Sequence, residues 1–354
     1  MTPALLAVAE QFAAGHAVQA ISPLGNGLIN DTYLVGSADV SFVLQRINPK
    51  VFPEPQRVIH NLSRLAKHLQ QKPAGSVCLK IPELLPASDG HGFYQDDLQQ
   101  LWRALEWIHP TESREHISND HEAAQVGLAL GHFHQLCSDM PADALLDTLP
   151  GFHITPGYLQ HYQQLLAQPL QVAKDAEFHE CHAFIQAHQL QVHVLESAKQ
   201  RGELHSRVIH GDPKLNNFLF KPGTNQIVSL IDLDTVKPGL VHYDIGDCLR
   251  SSCHDKQTNQ FNLARCQIIL QQYVLAAGDF LSATDYDYLY AAIWLIPFEL
   301  GLRFFSDYLS GNRYFRVKEP RHNLHRALAL FALCNSIQAQ QQALQDCILE
   351  LRRI

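Results

Sequence analysis

A carboxylate and a carboxamide stand five residues apart in one short polar segment of the chain. Asp212 and Asn217 belong to His210-Gly211-Asp212-Pro213-Lys214-Leu215-Asn216-Asn217, which is enclosed by the apolar runs Val208-Ile209 and Phe218-Leu219-Phe220. The two runs predict short strands, and the polar segment predicts the loop between them. In such a loop the carboxylate can take the proton of an attacking hydroxyl, while the amide oxygen helps to hold Mg²⁺ against phosphates. The spacing therefore indicates phosphoryl transfer.

Two more carboxylates follow in Ile231-Asp232-Leu233-Asp234. Acids that alternate with apolar residues predict a strand with both carboxylates on one face. Carboxylates are hard oxygen ligands that suit Mg²⁺. An ordinary turn and a half-buried strand edge would explain each motif by itself. Both motifs in this order, with Asn217 between them, are difficult to obtain by chance.

A glycine turn, Gly25-Asn26-Gly27, precedes the first predicted strand. Glycines let a backbone approach phosphate closely, and free amides in such a turn bind phosphate oxygens. The same three residues also form common turns that bind nothing. The turn is therefore a candidate nucleotide contact that depends on the other motifs.

The elements that position these residues divide the chain into a mixed part and a helical part. Before residue 110 we predict strands at 29–35, 40–47, 92–95 and 101–108, with one helix at 56–70. After it we predict helices at 122–137, 157–167, 178–199, 261–277, 282–309 and 321–351. Ser282 and Asp285 resemble a capping box at one of these helix starts. The short strands within 207–234 are the one β-like insertion in the helical part.

Composition is that of an ordinary globular protein, with 354 residues, 46% of them hydrophobic and 18% charged. The net charge of −8 argues against a nucleic-acid partner and against an anionic membrane surface. Residues 1–15 lack a basic leader and predict a first helix. The apolar segment 290–305 contains Glu299 and Arg303, so it predicts a buried helix and not a membrane span. The eight cysteines contain no Cys-x-x-Cys pair, so we expect free thiols and a cytoplasmic protein.

The motifs resemble those of the aminoglycoside phosphotransferase and choline kinase superfamily. The resemblance rests on His210-Gly211-Asp212 with Asn217, Ile231-Asp232, Tyr243-Asp244-Ile245-Gly246-Asp247 and Gly131-His132-Phe133-His134, and it covers essentially the whole chain. It implies an α+β, protein-kinase-like fold with two lobes. Residues 1–109 would form a small β-rich nucleotide-binding lobe, and 110–354 a large, mainly helical lobe for catalysis and substrate binding.

Finer features resemble the N-acetylhexosamine 1-kinases. They are Val43-Leu44-Gln45-Arg46-Ile47-Asn48, Leu101-Trp102-Arg103, Ile231-Asp232-Leu233-Asp234-Thr235-Val236, Gly301-Leu302-Arg303-Phe304 and Tyr314-Phe315. Enzymes of this family phosphorylate the anomeric hydroxyl of GlcNAc or GalNAc with ATP and Mg²⁺. The resemblance therefore implies ATP and Mg²⁺ as cofactors and a small sugar as substrate, and it leaves the oligomeric state open.

This resemblance also implies a role for each matched residue. Asp212 would be the catalytic base, Asn217 and Asp232 the magnesium ligands, His210 and Asp244 the support of the catalytic loop, and Arg303, Tyr314 and Arg250 the contacts of the sugar. An arginine fork and a tyrosine hydroxyl suit the hydroxyls and acetamide of such a sugar. Arg303 has an alternative role, since it could simply pair with Glu299 one helical turn earlier.

The chain departs from the protein kinases at the phosphate contact. Protein kinases pair a strand lysine with a helix glutamate, whereas the matching strand here offers Gln45 and Arg46 on opposite faces, and the helix at 56–70 has no acid. Arg46 could replace the lysine, or the contact could come from Lys50, Arg57 or the glycine turn. Adenine is expected near 106–111. Lys214 could neutralise the transferring phosphate or be merely solvated.

Two other functions remain open from the sequence. A related kinase could act on an aminoglycoside, choline or homoserine, but a cationic acceptor needs clustered acids, and Asp279, Asp285 and Asp287 flank a turn. An inactive nucleotide-binding regulator is the other alternative. The intact set of Asp212, Asn217 and Asp232 argues against it.

Overall fold

The computed structural model describes residues 2–25, 29–37 and 40–353. The N-terminal part contains α1 (Pro3–Glu10), β1 (Val18–Pro23), β2 (Asp31–Ser37), β3 (Ser41–Arg46), α2 (Pro55–Gln70), β4 (Leu84–Leu85), β5 (Tyr94–Gln95) and β6 (Leu101–Glu106). Six strands form one antiparallel sheet in the order β1-β2-β3-β6-β4, with β5 also paired to β6. The predicted strands and the predicted helix are present, with ends shifted by a few residues.

The two faces of this sheet have different neighbours. Gln45 on β3 lies opposite Arg103 on β6, and the next residue, Arg46, lies opposite Trp102. Because successive residues of a strand point to opposite faces, these two pairs point to opposite faces of the sheet. Trp102 belongs to a small core with residues of α1. Residues on the other face, such as Leu101, join the main core with the apolar stripe of α2. Gln45 and Arg46 therefore lie on opposite faces, as predicted.

The rest of the chain is mainly helical. Its helices are α3 (Asp120–Leu136), α4 (Thr155–Leu166), α5 (Ala176–His188), α6 (Val194–Gln200), α7 (Val241–Cys253), α8 (Leu263–Ala277), α9 (Ala283–Leu309), α10 (His322–Ala339) and α11 (Gln341–Leu351). Its strands are β7 (Glu112–Ser113), β8 (Arg207–Ile209), β9 (Phe218–Phe220), β10 (Ile227–Leu230), β11 (Lys237–Gly239), β12 (His254–Asp255) and β13 (Gln260–Phe261). A β-rich beginning and a helical remainder confirm the predicted fold class.

Three helix predictions need correction. The helix expected at 178–199 is α5 and α6, separated by the 3₁₀ turn Gln189–His193, and the one expected at 321–351 breaks at Gln340 into α10 and α11. In the first case the 3₁₀ turn buries Val192 and leaves Leu190 exposed. Helix α7 was not predicted at all.

Helix α9 is the central helix of this part. Ser282 and Asp285 form the predicted capping box, in which the Ser282 hydroxyl accepts from the Asp285 amide at 3.2 Å and the Asp285 carboxylate accepts from the Ser282 amide at 2.7 Å. By length and composition alone, α9 is the one helix among the described residues that could cross a membrane, yet 72% of its most apolar window is buried inside the protein. It packs against α4, α7, α10 and α11.

Helices α3 and α8 pack unusually closely because glycines lie between them. A Cβ atom at Gly131 would lie 2.9 Å from the Ala276 Cβ and closer still to the Tyr273 carbonyl oxygen. The same close approach brings the Tyr273 hydroxyl to within 2.7 Å of His134 Nδ1. The motif Gly131-His132-Phe133-His134 thus combines a packing glycine with a buried histidine.

Candidate active site

The polar segment after β8 forms a loop held between two small sheets. Strand β8 pairs with β11, and β9 pairs with both β10 and β7, so the apolar runs on either side of the segment are strands as predicted. The loop ends in a 3₁₀ turn, Leu215–Asn217. Its two ends are therefore fixed by backbone ladders.

Asp244, on α7, holds the start of this loop. Its fully buried carboxylate accepts hydrogen bonds from the backbone amides of His210 at 2.7 Å and Gly211 at 2.8 Å, and it lies 2.9 Å from His134 Nε2. Burial by itself raises the pKa of Asp244, but the contacts with His134 and the backbone outweigh it and hold the pKa below its ordinary value. The loop is thus anchored to α7, and through His134 to α3.

Asp212 lies in the loop with 26% of its side chain exposed. Burial above all, with the neighbouring acids Asp247 and Asp232, outweighs the opposite effect of Lys214 and raises the pKa of Asp212 to about 6. The Lys214 ammonium contacts Asp212 Oδ2 and lies 3.7 Å from Asp232 Oδ2. Lys214 therefore bridges the two carboxylates and is not a freely solvated side chain.

Asn217 has a fixed orientation. The side chain is buried, and its Nδ2 donates to the backbone oxygen of Asp212 at 2.7 Å. With the nitrogen engaged, Oδ1 points away, and no donor in the described part of the chain binds it. Asn217 thus presents a free oxygen next to the carboxylate of Asp212.

Asp232 does not lie on a strand, so the prediction that Asp232 and Asp234 share a strand face is wrong. Strand β10 ends at Leu230, and Asp232 adopts a left-handed conformation (φ 66°) that opens the 3₁₀ turn Leu233–Thr235. The reason is that side chains bind the backbone here in place of further strand hydrogen bonds. His210 Nε2 lies 3.0 Å from the Ile231 oxygen, and Thr235 Oγ1 donates to the His210 oxygen at 2.9 Å. The side chain of Asp232 is 46% exposed and that of Asp234 is 3% exposed.

These donors fit a divalent cation that is shared with a nucleotide. Across the described ranges, no group of three or more His, Cys, Asp and Glu side chains could hold a metal ion by itself. A carboxylate, Asp232, and a free amide oxygen, on Asn217, form a small hard-oxygen set. Mg²⁺ binds in this manner when phosphate oxygens and water complete its shell. The donor set therefore fits Mg²⁺ together with phosphates better than it fits a metal ion bound by protein alone.

The guanidinium of Arg303 lies among four aromatic rings. The guanidinium carbon is 5.1 Å from the Phe152 ring centre, 5.0 Å from Tyr158, 5.9 Å from Tyr314 and 5.5 Å from Phe315. Burial lowers the pKa of Arg303, but Tyr158, Glu299, Tyr314 and Asp212 outweigh it, so the pKa is raised. The guanidinium and the Asp212 carboxylate therefore influence each other.

His153 links Arg303 to the loop that carries Asp212, and the sequence did not predict this role. Its Nε2 lies 2.8 Å from the Gly211 oxygen and its Nδ1 lies 3.1 Å from Glu299 Oε1, while Arg303 Nη1 is 3.9 Å from the same Glu299 oxygen. The alternative pairing of Arg303 with Glu299 is thus present, although the distance is long. Burial lowers the pKa of His153, but Glu299 outweighs it and raises the pKa. The sequence gives no sign of this role, because a single histidine after an aromatic residue is not a recognisable motif.

The other predicted acceptor contacts are placed differently. Arg250 pairs with Asp247 through its Nε and Nη2, both at 2.8 Å. The Asp247 side chain is 8% exposed, and its second oxygen has no hydrogen-bond partner in the described ranges. Tyr314 is 50% exposed and packs on Phe315. Arg250 is thus engaged with an acid, while Tyr314 is accessible.

The predicted nucleotide contacts belong to the N-terminal part of the chain. Gly25 has a positive φ of 69°, and Asn26 and Gly27 lie outside the described residues. Arg46 binds Gln100 at 2.6 Å, pairs with Asp31 and stacks over Trp102. It therefore lies on the α1 face of the sheet, with its guanidinium already engaged.

Known proteins resemble both the sequence and the fold. The model of the phosphotransferase enzyme family matches residues 20–268. An aminoglycoside phosphotransferase of Alicyclobacillus acidocaldarius is 16% identical, with a TM-score of 0.64 over 97% of each chain. A choline kinase of Cryptosporidium parvum is 12% identical, with a TM-score of 0.60 over 99% of this chain and 98% of its own. At these identities the structural likeness concerns the fold.

A third similar structure was solved with ligands. An amicoumacin kinase in complex with AMP-PNP and Ca²⁺ is 14% identical, with a TM-score of 0.57 over 95% of this chain and 92% of its own. The family model spans well over half of the 354 residues and includes Asp212, Asn217 and Asp232. The chain therefore belongs to the phosphotransferase enzyme family, and its fold is similar to those of an aminoglycoside phosphotransferase and a choline kinase.

Proposed function

We propose that the protein transfers the γ-phosphate of ATP to the anomeric hydroxyl of an N-acetylhexosamine, GlcNAc or GalNAc, with the help of Mg²⁺. The observation that carries the choice of acceptor is the guanidinium of Arg303, which lies among aromatic rings and is electrostatically coupled to Asp212. A planar fork of donors beside a base suits a neutral, hydroxylated acceptor. The motifs that resemble N-acetylhexosamine 1-kinases support the same choice.

The charges around Asp212 argue against a cationic acceptor. Asp232 faces Lys214, Asp247 is paired with Arg250, and Glu299 lies between His153 and Arg303. Each acid that could receive an ammonium group thus already has a cation. A second positive charge beside Arg303 would be repelled, which disfavours choline and aminoglycosides.

The acids on α9 do not help such an acceptor either. Asp285 pairs with Arg207 at 2.6 Å and closes the capping box, and Asp287 pairs with Arg352 at 2.9 Å. Both carboxylates are therefore used in the helical framework. This leaves the neutral sugar as the better-supported acceptor.

The catalytic roles follow from the geometry of the loop. Asp212 accepts the proton of the anomeric hydroxyl, which is more acidic than an ordinary alcohol, while Arg303 and Tyr314 orient the sugar. Asn217 and Asp232 would hold Mg²⁺, which neutralises the phosphates when bound. Asp244 and His210 keep the loop in place. Positioning and charge neutralisation supply most of the rate.

The same proposal divides the work between two parts of the chain. Residues 1–109 bind the nucleotide, with the turn at 25–27 near its phosphates and adenine near 106–111. Residues 110–354 carry the catalytic loop and the acceptor. The enzyme would work in the cytoplasm, where ATP and a reducing environment are present and its buried thiols stay reduced.

The test is ADP release from Mg-ATP over a panel of N-acetylhexosamines, choline, homoserine and aminoglycosides. Turnover with GlcNAc or GalNAc should consume the reducing end of the sugar, because the anomeric oxygen becomes phosphorylated. The 1-deoxy analogue, which lacks the anomeric hydroxyl, is the matched control and should give no ADP. Turnover with choline or an aminoglycoside alone refutes the sugar assignment, and silence over the whole panel indicates an inactive nucleotide-binding protein.

The raised pKa of Asp212 predicts a pH dependence of the free enzyme. Because the ordinary pKa of 3.8 is raised to about 6, the carboxylate form is lost as the pH falls through 6, and the rate should fall with it. The measurement is the initial rate with both substrates well below saturation, which reports ionisations of the free enzyme. Near-ultraviolet circular dichroism at each pH serves as the folding control. A rate that stays constant down to pH 4.5 contradicts the prediction.

Replacing Arg303 with methionine should lower kcat/KM for the sugar roughly 10- to 150-fold, the equivalent of about 1.5–3 kcal/mol for hydrogen bonds to a charged group. The KM for ATP should not change, because the guanidinium lies on the acceptor side. Arg326→Met is the matched control, since Arg326 also stacks on an aromatic ring, Phe304, at 5.2 Å. If Arg303→Met lowers the melting temperature and leaves the sugar KM unchanged, Arg303 serves only as the partner of Glu299.

A further inference from the structure

A buried ion pair joins the N-terminal sheet to the turn that carries Asp232. Arg103 on β6 contacts Asp234 Oδ1 through its Nη2, and the two side chains are 2% and 3% exposed. The same guanidinium donates to Gln45 Oε1 on β3, from Nε at 3.1 Å and from Nη2 at 2.7 Å. Arg103 is thus held rigidly in the sheet and reaches from it to the turn.

Asn30 binds the other oxygen of the same carboxylate. Its Nδ2 donates to Asp234 Oδ2 at 2.7 Å, and its Oδ1 accepts from the Asn48 amide at 3.0 Å. Asn30 comes directly before β2, on the far side of the glycine turn from β1. Both oxygens of Asp234 are therefore held by the part of the chain proposed to bind the nucleotide.

The turn itself needs such support. Asp232 has a left-handed conformation, which costs on the order of 1–3 kcal/mol for a residue other than glycine and persists only where its surroundings enforce it. Thr235 fixes one side of the turn to the catalytic loop through the His210 oxygen at 2.9 Å. Asp234 fixes the other side to the sheet. The conformation of Asp232 is thus determined by contacts from two directions.

The arrangement differs from the lysine–glutamate pair of protein kinases. Helix α2 contains no acidic residue, and its buried Asn61 instead donates to the backbone oxygens of Leu146 at 2.7 Å and Val236 at 2.8 Å. The buried cation of the sheet, Arg103, is therefore paired with the turn of Asp232 and not with a helix. Its Nη1 is buried without a hydrogen-bond partner among the described residues, which costs about 1–3 kcal/mol.

We propose that Arg103 and Asn30 are positioning residues that act through Asp234 to hold Asp232 in its metal-binding conformation. The inference rests on the proposed function in one respect, namely that Asp232 is a Mg²⁺ ligand. It predicts that the affinity for the metal–nucleotide pair depends on three side chains that touch neither the metal nor the acceptor.

The experiment measures how much Mg²⁺ half-saturates the binding of AMP-PNP, by calorimetric titration of the intact protein. Asn30→Ala removes the hydrogen bond to Asp234, together with the one from the Asn48 amide, at a partly exposed side chain. Arg103→Met combined with Asp234→Leu removes the whole ion pair and leaves no unpaired charge, a type of replacement that is often neutral for stability. Both variants should need about 10- to 100-fold more Mg²⁺, the usual effect of losing a residue that orients a metal ligand. The binding of AMP-PNP without Mg²⁺ and the KM for the acceptor should stay unchanged.

Arg265→Met is the control for losing a partly buried arginine, since Arg265 binds only the backbone oxygens of Ser252 at 2.9 Å and Ile117 at 3.2 Å. It should leave the Mg²⁺ dependence unchanged. Lower melting temperatures with the wild-type Mg²⁺ dependence in both variants overturn the inference and leave the proposed function intact. If Mg²⁺ fails to strengthen AMP-PNP binding even in the wild-type protein, the metal assignment and the inference both fall.

Discussion

Asp212→Asn should lower kcat by about 10²–10⁴-fold, the usual contribution of a positioned general base. The amide keeps the size of the carboxylate and can still accept from Lys214, but it cannot take the proton of the attacking hydroxyl. The binding of AMP-PNP should stay close to that of the wild type, because the proposed nucleotide contacts lie elsewhere. The measurement is single-turnover phosphorylation with saturating sugar, alongside calorimetric titration of the nucleotide.

Asp279→Asn provides the matched control for Asp212→Asn. Asp279 is an exposed acid in the short turn between α8 and α9, so its replacement changes the net charge equally and should leave kcat unchanged. A loss of less than tenfold in Asp212→Asn would show that positioning alone carries the reaction. Asp212 would then be a substrate-binding residue and not the base.

Asp244→Ala should lower the free energy of unfolding by about 3–5 kcal/mol, as expected when one partner of a buried charged network is removed. The two backbone amides of His210 and Gly211 lose their acceptor, and His134 loses its partner. Since the pKa of Asp244 lies below its ordinary value of 3.8, its contribution to stability is present above that pH and is lost as the pH falls through the lower, folded pKa. Urea unfolding at pH 7 measures the first effect, and a series of unfolding curves at pH values falling below 3.8 measures the second.

Asp255→Ala is the matched control for Asp244→Ala. Its carboxylate also accepts two backbone amides, from Gln257 at 2.8 Å and Thr258 at 3.3 Å, but in an exposed turn. The expected loss is about 0.5–1.5 kcal/mol, the net value of an ordinary hydrogen bond. Equal losses in the two variants would contradict the prediction, because they would mean that burial adds nothing to the free energy that Asp244 contributes.

Local sequence patterns predicted the elements that carry an apolar stripe, a capping box or a short apolar run. The stripe of Val58, Leu62 and Leu65 identified α2, because this helix buries one face only. The capping box at Ser282 marked the start of α9, and apolar runs marked β8 and β9. The catalytic loop could be located for the same reason: its polar residues stand between two strands that are apolar in sequence.

The elements missed from the sequence lack such signals. Helix α7 is buried from Val241 to Leu249 without interruption, and this stretch includes His242, Asp244 and Asp247, so it shows no apolar stripe. Asp244 and His242 bind partners that are distant in sequence, which no local pattern reveals. Asp232 was assigned to a strand because the alternation is genuine, but side chains far away in sequence hold it in a left-handed turn. Long-range hydrogen bonds overruled the local preference in both places.

The close packing of α3 and α8 has a consequence for which substitutions the enzyme can accept. The missing side chains of Gly127 and Gly131 let α8 approach α3, so that Tyr273 reaches His134, which in turn meets Asp244, and Asp244 holds the backbone beside Asp212. An added methyl group on α3 would therefore displace the catalytic loop through three successive contacts. The packing that supports Asp212 thus extends into the interior of the helices, where a glycine with no chemistry of its own helps to set the position of the loop.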